Sequence, residues 1–192
     1  LDTEPTVSSP AEPVRELPPC VTLELRDAGF SYPGADAPVL SGVSFRADPG
    51  STTAIIGGTG SGKSTLMRLV PRLIDVTAGQ VLVAGVDVRA LDTDVLRSRI
   101  AVVPQKAYLF SGTIADNIRL GRPEATDAEV RAAAEAVGLD RFVASLPDGY
   151  ATDVRTRGGR LSAGQRQLVA FARVFLADPA VIVLDEATSS LD

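Results

Sequence analysis

Nine residues constrain this chain more than any others: Gly57-Gly58-Thr59-Gly60-Ser61-Gly62-Lys63-Ser64-Thr65. Before them runs Thr52-Thr53-Ala54-Ile55-Ile56, apolar enough for a buried strand, and after them Lys63 to Leu73 has helical spacing. The order G-x-x-x-x-G-K-[ST] places glycine where backbone N–H groups must turn inward onto an anion with no Cβ in the way. The start of the following helix adds its positive end. The segment is predicted to be a phosphate-binding loop between a strand and a helix. Lys63 is expected to reach the β- and γ-phosphates of a nucleotide, and the Ser64 hydroxyl to ligate Mg²⁺.

Such a loop needs a sheet, and the flanking patterns supply one. Val21 to Asp27 alternates apolar and polar residues, as does Val39 to Arg46, with the Tyr32-Pro33-Gly34 turn between them. This predicts a half-buried antiparallel lobe. Gln80 to Val88 alternates again, while Ile100 to Pro104 and Val181 to Asp185 read as short buried strands. From Thr126 to Leu146 the pattern is helical, with Thr126 or Asp127 as N-cap. A second helical stretch, Ser162 to Ala177, places Leu168, Phe171, Ala172 and Phe175 on one stripe and ends at Asp178-Pro179. Buried strands alternating with helices predict a parallel α/β sheet, and with the phosphate-binding loop the pattern resembles the P-loop NTPase (RecA-like) fold. Its parallel sheet carries an N-terminal antiparallel β lobe and a helical subdomain over about 106–178.

Composition narrows the chemistry. With 192 residues, 45% of them apolar, the chain can bury one sizeable core. A net charge of −5 disfavours bulk attraction to nucleic acid, and no nucleic-acid partner is expected. The absence of histidine excludes imidazole triads and histidine metal sites within these residues, and the single Cys20 has no internal disulfide partner. No stretch approaches about eighteen consecutive apolar residues. Residues 1–20 carry five prolines among acidic and small residues, a composition suited to an extended linker, and residues 21–192 form the predicted domain.

Asp185 closes the apolar run Val181-Ile182-Val183-Leu184, and Glu186 follows it. A carboxylate at the C-terminal edge of a buried strand sits where Mg²⁺ is held in such folds. Adjacent residues point in different directions, so Asp185 can serve the metal while Glu186 faces an attacking water as general base.

Together with the phosphate loop and Val181–Glu186, Leu161-Ser162-Ala163-Gly164-Gln165-Arg166-Gln167 resembles the signature of the ABC ATPase family. The likeness covers about Val21 to Asp192, and Ser189-Ser190-Leu191-Asp192 resembles the family's D-loop. It implies Mg-ATP as ligand and a head-to-tail pairing with a second ABC ATPase domain, in which Ser162, Gly164 and Gln165 cap the ATP held by the partner's phosphate loop. The family usually has glycine where this chain has Ala163, a difference that bears on any left-handed backbone there. Gln105 matches the Q-loop glutamine, an Mg²⁺ ligand placed with the catalytic group, and Tyr32 matches the aromatic residue on which adenine stacks.

Leu109 to Gly121 and Thr152 to Gln167 resemble the exporter branch, with Thr156 where a glutamate is usual. The resemblance implies ATP hydrolysis that powers export, a transmembrane domain upstream in the same chain, and a place on the cytoplasmic face of the cell membrane. It also implies that a switch histidine and further sheet strands follow the D-loop, so the 192 residues alone are expected to hydrolyse ATP very slowly. A soluble ABC ATPase of DNA repair or translation would call for coiled coils or a tandem cassette. A non-hydrolysing regulatory module would be expected to lack Glu186. A guanine-specific switch would need an Asn-Lys-x-Asp run, which is absent.

Overall fold

The computed structural model describes residues 7–154 and 161–185. They belong to two compact units, residues 1–100 and 101–192.

The first unit is built on strand β1, Leu23–Phe30, which is paired on both sides. Strand β2, Leu40–Ala47, and strand β3, Ala78–Val83, flank it antiparallel, and the short β4, Val86–Asp87, completes the order β2-β1-β3-β4. Leu23, Leu25, Ala28 and Phe30 of β1 are buried, so the expected antiparallel lobe is present. β3 and β4 are joined by Ala84-Gly85, both at positive φ, which suits the tight turn of a two-residue hairpin. The pairing of β1 is broken around Asp27, whose φ is 45°, and its bulge pushes two carbonyls toward β3. Gly79 takes up that push. A Cβ there would lie 2.3 Å from both Arg26 O and Asp27 O, and its φ is already +70°.

Helix α1, Lys63–Leu69, is shorter than its pattern predicts and stops before Pro71, which has no N–H to extend it. Thr52 to Gly57, expected to be a buried strand, lies in no strand, and Ile56 is 94% exposed. Apolar composition marks what a segment can bury, but a strand also needs neighbours, and no described strand pairs with it.

Helix α2, Thr93–Arg99, starts at Asp92, whose carboxylate accepts from Asp94 N and Val95 N. The proline-rich segment runs beside it. Val14 N donates to Ala90 O at 2.9 Å and Asp92 N to Val14 O at 3.0 Å, forming a parallel bridge with Leu91. Thr93 N donates to Ser9 Oγ, and Arg99 donates to the carbonyls of Leu17 and Pro18.

In the second unit, strand β5, Ile100–Val103, lies beside β6, Val181–Leu184. β6 is covered on one face only: Ile182 and Leu184 are each 52% exposed, against the expectation of full burial. Helices α3, Ile114–Arg119, α4, Asp127–Ala136, α5, Asp140–Ala144, and α6, Ala163–Ala177, make the helical part. Their core gathers Leu109, Ile114, Ile118, Val130, Leu139, Val169 and Leu176, among others. The buried face of α6 departs from the expected stripe, since of its four residues only Ala172 is buried and Phe175 is 58% exposed. Two clusters claim the helix: Val169, Ala172 and Leu176 face α3 and α4, while Ala170 and Val174 pack with Val103. A single-stripe reading cannot anticipate burial on two sides.

Thr126 caps α4 in a capping box, its hydroxyl accepting from Glu129 N while the Glu129 carboxylate accepts from Thr126 N. Thr113 and Asp116 do the same for α3. The Thr126 backbone and hydroxyl, followed by the charge of Arg122, hold the Glu129 carboxyl below its usual range.

Two outcomes follow from these contacts. Gly79→Ala destabilises the protein by about 1–3 kcal/mol or more in chemical denaturation, because strain at positive φ adds to overlap with two carbonyls. Glu129 stabilises the fold above about pH 4.3, the unfolded carboxylate value, and that contribution fades as pH falls through its lower folded value. Glu129→Gln keeps the box without the ionisation. Its melting temperature therefore lies below that of the parent at pH 7, and the gap closes on approach to pH 3.

Candidate functional site

The loop leaves Gly57 and returns on itself at Ser61, whose N–H donates to Gly58 O at 3.3 Å, before α1 begins with Leu66 N on Gly62 O. Gly62 is the N-cap of α1, with φ +89°, and no side chain caps it. A Cβ on Gly62 would lie 2.7 Å from Leu40 Cδ2 and 3.0 Å from Val39 O. Backbone conformation and the entry to β2 thus both require glycine here, and the first N–H groups of α1 remain directed at the loop. Gly57, Gly58, Thr59, Gly60, Ser61 and Ser64 are exposed.

Lys63 folds back over this loop. Its Nζ donates to Gly57 O at 2.6 Å, to Gly58 O at 2.8 Å and to Ser61 Oγ at 3.4 Å. One positive charge therefore sits over the loop, held by two backbone carbonyls that anionic oxygens can replace as its partners. Thr65 is buried, and its hydroxyl lies 3.4 Å from the phenol oxygen of Tyr32. Tyr32 stands just beyond β1, 40% exposed, with its ring edge-on to Phe30 at 4.8 Å between centroids. The Thr65 hydroxyl, and after it Arg68, lowers the phenol pKa. Tyr32 and the phosphate loop, separated by more than twenty residues of sequence, are brought together.

In the second unit, Asp185 N donates to Val103 O at 3.0 Å, which sets the C-terminal ends of β5 and β6 side by side. Asp185 is half-buried at one of these ends, and Gln105 is exposed just past the other. The signature residues are organised by a third capping box: Ser162 N donates to Gln165 Oε1 at 2.8 Å, and Gln165 N to Ser162 Oγ at 3.2 Å. Ala163 is the first residue of α6 and is not at positive φ, so replacement of the usual glycine does not strain the backbone there. Gly164 lies half-buried in the first turn. Glu186, the Ser189–Asp192 segment and Thr156 lie outside the described residues.

Two buried polar side chains and one half-buried arginine beside them escaped the sequence reading. Asn117 and Gln167 are each 1% exposed, and Arg173 is half-buried. Their signal was a polar residue on the buried face of an apolar helix, visible only once that face is known.

Comparison with known proteins shows the family to which the chain is related. The family model described as ABC transporter matches residues 40–189. The uncharacterized ABC transporter ATP-binding protein YknV of Bacillus subtilis is 45% identical across the whole chain, which corresponds to 32% of that protein. A fatty acid ABC transporter ATP-binding/permease protein of Mycobacterium bovis is 48% identical over 94% of the chain and 29% of its own length. The structure of a bacterial Atm1-family ABC exporter with ATP bound superimposes with a TM-score of 0.95 at 38% identity, covering the whole chain and 33% of the exporter chain. The chain thus spans about a third or less of the length of these relatives. With residues 40–189 accounted for in this way, the chain belongs to the ABC transporter family: it is an ATPase domain homologous to exporter-type ATP-binding/permease proteins.

Proposed function

We propose that this chain binds and hydrolyses Mg-ATP as the nucleotide-binding domain of an exporter, working head to tail with a second such domain. The observation that carries the reading is the pairing of the Gly57–Thr65 loop with Tyr32 through Thr65. The loop offers amides and the Lys63 ammonium to phosphate, and Tyr32 offers a ring face to the base at one end of the same helix.

The donor set fits Mg²⁺. A hydroxyl from Ser64, an amide oxygen from Gln105 and a carboxylate from Asp185 are hard oxygen ligands, few enough to leave room for phosphate oxygens and water. Among the described residues no cluster of three or more His, Cys, Asp or Glu side chains forms a self-sufficient metal cage, which suits an ion carried in with its nucleotide. Held by these residues, Mg²⁺ would supply charge neutralisation for the β- and γ-phosphates. Lys63 leaves the Gly57 and Gly58 carbonyls to pair with the same oxygens. Glu186 accepts the proton of the attacking water. The adjacent C-terminal ends of β5 and β6 support a parallel RecA-like core, with Asp185 and Gln105 at its ligand-binding edge.

Ser162, Gly164 and Gln165 open α6 with a hydroxyl and free helix amides, a second anion-binding end suited to the γ-phosphate held by a partner domain. Among the described residues no helix is long and apolar enough to cross a membrane. The membrane-spanning part is therefore proposed to reside in a transmembrane domain upstream in the same polypeptide, as the ATP-binding/permease naming of the relatives suggests, with this domain on the cytoplasmic face.

Tyr32→Ala weakens ATP binding about tenfold or more by calorimetry, whereas Tyr32→Phe keeps the ring and binds within about threefold of the parent. Equal losses in both variants would locate the role of Tyr32 in its Thr65 contact instead. In the intact transporter, Glu186→Gln lowers ATP turnover by about 10²-fold or more and accumulates an ATP-bound dimer on size-exclusion chromatography. Unchanged turnover would remove Glu186 as the base.

A further inference from the structure

Arg173 is a costly residue for its position. Its side chain is half-buried on α6, burial lowers its pKa, and its hydrogen bonds among the described residues run to neutral carbonyl oxygens rather than to a carboxylate. A half-buried cation with no carboxylate partner among the described residues is poorly offset unless its geometry does something that an apolar side chain cannot. Here the planar fork spans three acceptors. Nε donates to Asn117 O at 2.9 Å, and Nη2 to Asn117 Oδ1 at 3.3 Å and to Tyr108 O at 3.5 Å.

Asn117 passes that grip on. Its side chain accepts from Phe110 N at 2.8 Å and donates to Phe110 O at 2.9 Å, holding both backbone groups of one residue as a strand neighbour would, and it donates to Thr113 O as well. At the other end of the segment, the buried Gln167 of α6 reaches Pro104 O at 3.5 Å. The stretch from Pro104 to Phe110, which contains Gln105, is thus tied at both ends to the helix that begins with Ser162.

We propose that Arg173 is a positioning residue that, through Asn117, fastens the Gln105 segment to the signature helix, so that Gln105 and Ser162 move as one body. The inference rests on the reading of Gln105 as an oxygen ligand of Mg-ATP. Lysine in place of Arg173 keeps the charge but loses the fork, and methionine keeps the packing but loses both.

The test is hydrogen exchange on the 192-residue chain bearing Arg173→Lys, Arg173→Met or Asn117→Ala, with Mg²⁺ titrations of ATP binding beside it. The expected result is about tenfold faster exchange confined to amides 106–112 in all three variants, with α4 and α5 as protected as in the parent. The Mg²⁺ concentration for half-maximal ATP binding rises several-fold, as it does in Gln105→Ala, while ATP binding without Mg²⁺ is unchanged. Unaltered exchange at 106–112 overturns the proposal, as does full protection in Arg173→Lys. Loosening of α4 and α5 to the same extent, or loss of folding in every variant, marks Arg173 as a general packing residue and overturns it too. If Gln105→Ala leaves the Mg²⁺ dependence untouched, the ligand role of Gln105 fails, and the exchange data decide the clamp alone.

Discussion

The fit of Gly62 against the entry to β2 is the contact on which the phosphate loop depends. At that one residue the backbone turns left-handed, a helix begins, and Val39 and Leu40 come close enough to exclude any side chain. The loop is therefore seated against the antiparallel lobe. The same lobe supplies Tyr32, which stands just past the end of β1 and meets α1 at Thr65. A sheet whose centre is set by Leu23, Leu25, Ala28 and Phe30 fixes the spacing between the phosphate amides and the aromatic ring.

The second unit solves a different problem. Its helices bury an ordinary aliphatic core, beside which α3 and α6 bury Asn117 and Gln167 and half-bury Arg173. These side chains satisfy loop backbone that no described strand pairs, between β5 and α3. Buried backbone groups must find partners somewhere, and here side chains from two helices do what a sheet neighbour does elsewhere.

What the sequence made legible was whatever is enforced locally. The start of α1 just after the glycine-rich run, Thr126 as a cap, and the alternation around Leu23 to Asp27 all act over a few residues, and each appears as read. Reading failed where the outcome depends on a distant neighbour. Ile55 and Ile56 have a strand's composition without a described strand beside them, and Ile182 and Leu184 are covered on one side only. Phe175 shares a helical stripe with Ala172, yet α6 faces two clusters and leaves it exposed. Arg173 and Asn117 were passed over for the same reason, since their meaning lies in a contact between positions 56 residues apart. The Ala163 substitution was judged by family habit, and only the observed helical start shows that it carries no backbone strain.

The proline-rich segment bears on mechanics. Because Val14 is bridged to Leu91, with Thr93 held by Ser9 and Arg99 by Leu17 and Pro18, the backbone ahead of β1 is not a slack cord. Tension applied from its N-terminal side loads the first turn of α2 before it reaches Val21. The parallel bridge at Leu91 and then the Arg99 contacts to Leu17 and Pro18 stand between such a pull and β1, so the load falls on both ends of α2 rather than on the first strand of the sheet.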